Sequence, residues 1–351
     1  KAIAPLLVFF LVISSLCNAG KSHGGVIKTV IILYMFSTVL AAVIAVFASM
    51  AFPVKMTLAN AATDTSAPQG IVEVLNNLLL NVVANPVSSL VNANYVGILM
   101  WAVLLGLAFR AADKMTKKVL ADVADGISMV VTWIINLAPF GIFGLVFNTV
   151  STNGLDIFTT YGKLLLLLVG CMLFIYFVTN PLLVYWCIRQ NPYPLIFQCL
   201  KRSALTAFFT RSSAANIPVN MKVCEEMGLD RDTYSVTIPL GATINMDGAA
   251  ITITVMTMAT AFTLGIHVDI PTAIILSLLA ALSACGASGV AGGSLLLIPM
   301  ACSLFGISDD ISMQVVAVGF IIGVVQDSVE TALNSSSDLL LSASAEFRQW
   351  R

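Results

Sequence analysis

The sequence predicts an all-α polytopic membrane protein, and three observations lead to this fold class. The 351 residues are 58% hydrophobic and 10% charged, whereas soluble domains carry about a quarter charged residues. Apolar stretches recur along the chain at a length close to the roughly 20 residues that a membrane span needs. Lys and Arg gather in alternate loops, which is typical of cytoplasmic loops. A large soluble core does not explain so low a charged fraction.

Composition also limits the classes of function. The formal net charge of −1 indicates neither nucleic acid nor a strongly acidic partner. The seven cysteines show no C-x-x-C or Cys/His spacing, so we expect them to pack as small hydrophobic residues. No nucleophile–base pair or H-E-x-x-H motif is present, and we do not expect an enzyme. The chain begins at Lys1 and is apolar from Ala2, which indicates a truncated N-terminus with an earlier span missing.

Apolar runs and their breaks predict the order of the spans. The predicted segments are 2–17, 26–52, a broken region of 71–90 and 95–110 interrupted at Asn85-Pro86, 127–150, 162–188, 233–265 and 311–341. Lys55 is the one Lys or Arg in the loops 53–70, 151–161, 265–271 and 305–312. This asymmetry places the C-terminus in the cytoplasm, provided that 194–218 and 271–304 each enter the membrane and return to the same side.

Two tracts of small residues, 210–218 and 283–294, are the centres of these returning segments. Membranes tolerate irregular backbone only where protein or water covers it, so such tracts are expected beside a cavity. The alternative interpretation is a pair of helix-packing surfaces. Because each tract is followed by a long helix with its own polar interruption, the pattern favours a transporter site between two structural repeats.

The two long helices that follow these tracts contain the acidic residues Asp247, Asp327, Glu330 and Asp338. A carboxylate at the centre of a membrane helix costs about 2.5–3.5 kcal/mol on insertion scales, so these side chains must face protein, ions or water. The last three recur at helical spacing, which places them on one stripe. Gly248 is expected to let the backbone unwind after Asp247.

Two roles remain open for these carboxylates. Asp327 and Glu330 either pair with Arg211 or contact the solute directly. Asp247 and Asp338 have no nearby basic residue in the sequence, which favours a hard cation such as sodium. We therefore predict a carrier that moves a small solute together with ions; an ion channel along the same polar path is the alternative.

Several motifs in order resemble the dicarboxylate/amino acid:cation symporters, and within that family the bacterial members that carry serine and threonine. The matching segments are Y-M-F-S-T at 34–38, L-A-P-F-G-I-F-G at 137–144, T-R-S-S-A-A-N-I-P at 210–218, N-M-D-G at 245–248, the Gly-rich tract at 284–294 and D-x-x-E-T-x-x-N-x-x-x-D at 327–338. The resemblance covers essentially the whole chain.

The resemblance implies a fold of eight spans and two re-entrant helical hairpins in a homotrimer, with the first span missing here. Residues 1–190 would be mostly scaffold spans with part of the transport domain. Residues 191–345 would form the transport core, which comprises hairpin 194–218, span 233–265, hairpin 271–304 and span 311–341. That core would slide across the bacterial inner membrane with its cargo, in an elevator-type mechanism.

The resemblance also implies ligands for Na⁺ and for an amino acid. The sodium ligands would be Tyr34, Ser37, Thr38, Gly241, Thr243, Asn245, Met246, Asp247, Ala284, Cys285, Ala287, Asn334 and Asp338. The solute would contact Arg211, Ser212, Ser213, Gly289, Val290, Asp327, Glu330, Thr331 and Asn334. Asp327 would meet the solute ammonium, while Ser213 and Asn334 would bind its carboxylate.

Three departures from the family pattern bear on the substrate. Members that carry acidic amino acids have arginine where this chain has Glu330, and a carboxylate there repels an acidic side chain and removes its bidentate partner. Ala291 replaces a frequent proline and Ala214 a usual serine. The resemblance therefore predicts a sodium symporter for serine and threonine; other small neutral amino acids, such as alanine and cysteine, and uncoupled ion flux are the alternatives.

Overall fold

The fold is known from a computed structural model that describes residues 4–18, 25–58, 80, 83–92, 94–136, 147, 156–285 and 292–348. All regular secondary structure in these ranges is helical. Four of the described helices are long and apolar enough to cross a membrane. They cover Gly25–Ala51, Tyr161–Ile188, Val236–Thr263 and Asp309–Phe347. These helices confirm the predicted all-α polytopic class.

The N-terminal part contains α1 (Ala4–Asn18), α2 (Gly25–Ala51), α3 (Pro86–Val91) and α4 (Tyr95–Ala108). The predicted break at Asn85-Pro86 is the start of a helix. The Asn85 side chain accepts hydrogen bonds from the backbone N–H groups of Val87 (2.9 Å) and Ser88 (3.1 Å), as an N-cap residue does. Residues 71–79 of the preceding predicted segment lie outside the described residues.

Helix α5 (Lys114–Asn136) begins well before residue 127, where the span was predicted to start. Asp113 caps the helix by accepting a hydrogen bond from the backbone N–H of Thr116 at 2.9 Å. The first turns contain lysines and aspartates that are mostly exposed, so the sequence pattern resembled a loop. The prediction failed because charged residues on the exposed side of a helix do not interrupt it. Residues 137–146 lie outside the described range.

The predicted span 162–188 is confirmed as one long helical segment. It consists of α6 (Asp156–Phe174), a π-helical turn at Ile175–Thr179 and α7 (Asn180–Ile188). The segment ends where Arg189 adopts a left-handed backbone conformation with φ of 50°.

The first small-residue tract forms a helical hairpin, which we call the first hairpin (193–226). Its first arm is α8 (Tyr193–Cys199), a π-helical turn and α9 (Leu205–Thr210), and its second arm is α10 (Ser213–Glu226). The chain reverses at Arg211, whose φ is 49°. Ser212 caps the second arm by accepting the Ala215 N–H at 3.2 Å. The second arm therefore extends past residue 218, the predicted end of the hairpin.

The second hairpin (270–303) has a first arm α13 (Ile270–Ala284). Its second arm begins with a 3₁₀ turn at Gly293–Leu297 and continues as α14 (Ile298–Ser303). Gly292, with φ of 71°, leads into this arm. Residues 286–291, which include the predicted solute contacts Gly289 and Val290, lie outside the described residues.

The two long helices differ in a way that the sequence pattern did not show. The first is broken into α11 (Arg231–Ile244) and α12 (Asp247–Thr263), with Asn245 and Met246 outside helical geometry. The second, α15 (Asp309–Phe347), is one unbroken helix of 39 residues. The break lies at Asn245–Met246, so the expectation that Gly248 unwinds the backbone is wrong.

Helices α12 and α15 form the centre of the described fold. Every residue of α12 from Asp247 to Ala261 is buried, and α15 buries most of its C-terminal half. A helix that is buried on all sides normally has apolar residues on all sides. Here the enclosed surface also carries carboxylates, amides and hydroxyls, which therefore need partners inside the protein.

The first hairpin is attached to α15 by amide side chains. Asn216 Nδ2 donates to Ser335 Oγ at 2.8 Å, and Asn220 Nδ2 donates to the Ser335 carbonyl at 2.8 Å. All three residues are buried. Their hydrogen bonds fix the second arm of the hairpin beside the part of α15 that carries the acidic stripe.

Candidate solute and cation site

Asp338 lies against the break between α11 and α12. Asn245 Nδ2 donates to Asp338 Oδ1 at 2.9 Å, and the Tyr34 hydroxyl donates to the Asp338 carbonyl at 2.9 Å. The remaining oxygens, Asp338 Oδ2 and Asn245 Oδ1, are buried and have no hydrogen-bond partner among the described residues. Buried oxygen atoms normally have a partner, so these two are available to a further ligand.

Asp247, the first residue of α12, is held by the side chains of α2. Ser37 Oγ donates to Asp247 Oδ2 at 2.7 Å, and Thr38 Oγ1 lies 3.2 Å from Asp247 Oδ1. The Thr38 hydroxyl also accepts the Met246 N–H at 3.2 Å. All these residues are buried. The predicted group of Ser37, Thr38 and Asp247 is thus one contiguous set of oxygens.

The break leaves backbone groups that the helix no longer satisfies, as any helix start does. Asn334 satisfies one of these groups, since its Oδ1 accepts a hydrogen bond from the Gly248 N–H at 2.7 Å. Its Nδ2 lies 3.5 Å from Met246 Sδ. Asn334 therefore holds the start of α12 from the middle of α15.

The oxygens around the break suit a hard cation. Carboxylate, amide and hydroxyl groups from α2, α15 and the α11–α12 break converge there, and such oxygen donors are the ligands that alkali and alkaline-earth cations prefer. Within the ranges described above, no three His, Cys, Asp or Glu side chains are grouped as a site for a metal ion. The converging donors are the two carboxylates of Asp247 and Asp338 together with neutral amide and hydroxyl oxygens.

The predicted sodium ligands Thr243, Ala284, Cys285 and Ala287 are brought together only in part. Cys285 Sγ lies 3.7 Å from the Ile244 carbonyl, so the first arm of the second hairpin reaches the break. Thr243 directs its hydroxyl to the Leu240 carbonyl at 2.7 Å, within its own helix. Ala284 is buried at the end of the same arm, whereas Ala287 lies outside the described residues.

Gly241 of α11 leaves room for the carboxylate of Asp338 because it has no side chain. A Cβ atom at Gly241 would lie 2.7 Å from Asp338 Oδ1 and 2.9 Å from the Tyr34 hydroxyl. Those distances are well below normal contact, so α11 approaches the carboxylate through a residue without a side chain.

Asp327 lies between the two hairpins. Its Oδ1 accepts the Gly292 N–H at 3.2 Å, and its Oδ2 lies 3.9 Å from Arg211 Nη1. Asp327 is buried, whereas about 40% of the Arg211 side chain is exposed. The carboxylate predicted to meet the solute ammonium is thus placed where both hairpins begin their second arms.

Among the described residues, the carboxylate of Glu330 is surrounded by neutral donors and not by a basic side chain. Three donors converge on its Oε2: Thr252 Oγ1 at 2.7 Å, Ser294 Oγ at 2.9 Å and Gln326 Nε2 at 2.5 Å. Arg211 instead approaches Asp327. Of the two roles left open for Glu330, pairing with Arg211 is not the one that this structure shows, because neutral donors of α12, α15 and the second hairpin surround Glu330.

The other predicted solute contacts have local partners as well. Ser213, the first residue of α10, is buried, and Ser212 uses its hydroxyl as the cap of that helix. Thr331 Oγ1 donates to the Asp327 carbonyl at 2.8 Å. Ser212 and Ser213 lie at the turn of the first hairpin, and Thr331 lies one helical turn after Asp327 in α15.

Several polar residues of the site were not predicted. Thr252, Ser294 and Gln326 surround Glu330, and Ser342 Oγ lies 2.7 Å from the Tyr34 hydroxyl. Gln326 had a usable signal, since it lies four residues before Glu330 on the polar stripe. Ser294 is the last residue of the predicted tract 283–294, whereas Thr252 had no such signal, because threonine is common in apolar membrane helices.

Gly248 allows α12 and α15 to meet, and we predict that Gly248→Ala separates them. An added Cβ would lie 2.9 Å from the Glu330 Cα and 3.0 Å from its carbonyl oxygen, both of which are backbone atoms. Overpacking of this kind costs about 1–3 kcal/mol. Thermal unfolding in detergent should show a lower midpoint for Gly248→Ala.

Gly170→Ala is the matched control, because a Cβ at that position in α6 would meet nothing within 4 Å. It should leave the midpoint unchanged or raise it slightly, since alanine favours the helix. Equal midpoints for the two variants would contradict the close approach of α12 to α15.

Comparison with known proteins identifies the family. The model of the sodium:dicarboxylate symporter family matches residues 1–346. The chain belongs to the sodium:dicarboxylate symporter family. It is also 60% identical over 351 residues to the serine/threonine transporter SstT of Bifidobacterium adolescentis, a match that covers 100% of this chain and 82% of that relative. Family membership and the long apolar helices make the chain an integral membrane protein.

Proposed function

We propose that this symporter carries serine and threonine into the cell, driven by the sodium gradient. The observation that supports the substrate class best is the carboxylate of Glu330, which is buried without a basic partner within ion-pair distance among the described residues. An acidic solute side chain would be repelled there. The printed name of the Bifidobacterium relative, a serine/threonine transporter, agrees with this substrate class.

In this proposal the solute lies between the hairpins. Its ammonium meets Asp327, and its carboxylate is bound by Ser213, the backbone of the first hairpin and Asn334. The contacts of Asp327 with Gly292 and Arg211 support this assignment, because a solute bound to this carboxylate would then affect one contact of each hairpin.

Sodium would bind as a co-transported ion at the α11–α12 break. The unpartnered oxygens of Asn245 and Asp338 support one position, and the Ser37–Thr38–Asp247 group supports another. Sodium at these positions would hold the backbone of the α11–α12 break and the side chain of Asn334 in place. Since Asn334 also lies in the proposed solute site, binding of the ion would favour binding of the solute, and the coupling would be reciprocal.

The moving unit in this proposal contains both hairpins, the broken helix and α15. Hydrogen bonds from Asn216 and Asn220 to Ser335, and from Ser294 to Glu330, support motion of these elements as one body. The proposal further includes an elevator-type movement, a homotrimer assembled through residues 1–190 and a cytoplasmic C-terminus in the bacterial inner membrane.

The function can be tested by reconstituting the purified protein in liposomes. We expect labelled serine to accumulate when NaCl is outside and KCl inside, and not when choline replaces sodium. Serine and threonine should compete, whereas aspartate should not. Uptake that is independent of sodium would contradict the coupling, and flux that does not saturate with serine would favour the channel alternative.

A further inference from the structure

The hydrogen-bond network around Glu330 contains an asymmetry between its two carboxylate oxygens. Oε2 accepts from Thr252, Ser294 and Gln326. Oε1 accepts no hydrogen bond from the described residues. One oxygen is therefore saturated, while the other has no donor among these residues.

Two of the donors around Oε2 also hydrogen-bond to each other. Gln326 Nε2 donates one hydrogen to Thr252 Oγ1 at 2.8 Å and the other to Glu330 Oε2 at 2.5 Å. The Thr252 hydroxyl accepts from Gln326, so its own hydrogen is directed to Glu330. In this arrangement both hydrogens of the amide and the one hydrogen of the hydroxyl are in use.

We propose that Thr252, Ser294 and Gln326 are positioning residues that hold Glu330 Oε2, so that Oε1 accepts a hydrogen bond from the hydroxyl of the solute. The inference rests on the proposed transport of serine and threonine and adds the group that selects a hydroxylated side chain over alanine. The three residues come from α12, the second hairpin and α15, so the acceptor is in position only when these elements are assembled.

Burial explains why the positioning is needed. A buried carboxylate without a basic partner depends on hydrogen bonds for compensation, and losing one donor lets the group rotate toward another. A rotated Glu330 would no longer direct Oε1 to the solute. Ser294 belongs to the second hairpin, so the acceptor for the hydroxyl is complete only when this hairpin is seated on α15.

The experiment compares serine and alanine as competitors of labelled serine uptake in proteoliposomes. The wild-type protein should prefer serine by about 10–100-fold, as expected for a hydrogen bond to a charged acceptor. Thr252→Val keeps the shape of the side chain and Ser294→Ala removes one hydroxyl; each should lower this ratio by roughly 5–10-fold through weaker serine binding. Alanine binding and the sodium concentration for half-maximal uptake should stay the same. Ser294→Thr should restore the ratio.

Two control variants make the same chemical changes where the hydroxyl does not touch Glu330. Thr254 Oγ1 in α12 is buried without a hydrogen-bond partner among the described residues, and Ser303 Oγ in α14 donates to the Met300 carbonyl at 2.6 Å. Thr254→Val and Ser303→Ala should keep the wild-type ratio.

The outcomes separate the inference from the proposed function. A wild-type protein that takes up no serine would contradict the function itself. A wild-type protein that carries serine but binds alanine equally well would overturn the inference alone. Equal losses of serine and alanine binding in Thr252→Val and Ser294→Ala would mean that these residues only stabilise the protein. An unchanged preference for serine over alanine would mean that they do not contribute to substrate selection. Either result overturns the inference.

Discussion

Asp338→Asn is expected to raise the sodium concentration for half-maximal uptake by about 10–100-fold. Asp338 Oδ2 is buried without a partner among the described residues, and Asn245 Oδ1 is a second such oxygen. Asparagine keeps the size of the side chain but removes its charge. A hydrogen bond or ion contact to a charged group contributes about 1.5–3 kcal/mol, which corresponds to a change in affinity of this size.

Uptake and thermal unfolding together measure this effect. Sodium should raise the unfolding midpoint of the wild-type protein in detergent, because a ligand that binds the folded state stabilises it. The midpoint of Asp338→Asn should respond much less to sodium, while choline should affect neither protein. The unfolding measurement does not depend on transport, so a change in solute binding cannot imitate the result.

Asp310→Asn is the control for this prediction. Asp310 lies in the exposed first turn of the same helix, and its replacement makes the same chemical change far along α15. It should leave the sodium dependence of both measurements unchanged. Unaltered sodium activation in Asp338→Asn would remove this residue from the proposed ion site.

Glu330→Arg is expected to reduce serine uptake by at least about tenfold and to introduce competition by aspartate. A guanidinium at this position removes the acceptor for a hydroxyl and offers a bidentate partner to a carboxylate. The environment can adapt to the change, because the hydroxyls of Thr252 and Ser294 accept as well as donate, and the Gln326 amide has an oxygen without a partner.

The measurement is a competition series of the twenty amino acids against labelled serine, with binding of aspartate to the purified protein as a second readout. Glu330→Gln is the matched control, since it removes the charge without supplying a guanidinium. It should weaken serine uptake and give no competition by aspartate. If aspartate fails to bind Glu330→Arg while the variant still folds, the solute side chain does not lie beside Glu330.

The structure also changes the interpretation of Arg211. The sequence left open whether Asp327 and Glu330 pair with Arg211 or contact the solute, and the structure places Arg211 Nη1 3.9 Å from Asp327 Oδ2 with much of the Arg211 side chain exposed. An ion pair of this length, with one partner largely exposed, contributes little to stability. Arg211 therefore compensates the buried charge of Asp327 only in part.

The helices were predictable to different degrees. Hydropathy identified 26–52 and 162–188 almost to the residue, because long apolar runs have no alternative in a membrane protein. It missed the start of α5 at Lys114, because charged residues on one side of a helix resemble a loop. The break at Asn245–Met246 was assigned to the neighbouring Gly248, because glycine is a common sign of unwinding and asparagine is not.

The site shows the same division between sequence and structure. The sequence by itself determined the fold class and the acidic stripe of α15, because these depend on residue type and spacing alone; the significance of Glu330 came from the family resemblance. Only the tertiary structure decided that Glu330 is held by Thr252, Ser294 and Gln326 instead of Arg211. These donors come from three elements that are distant along the chain, and their convergence depends on packing at Gly248 that no local pattern encodes.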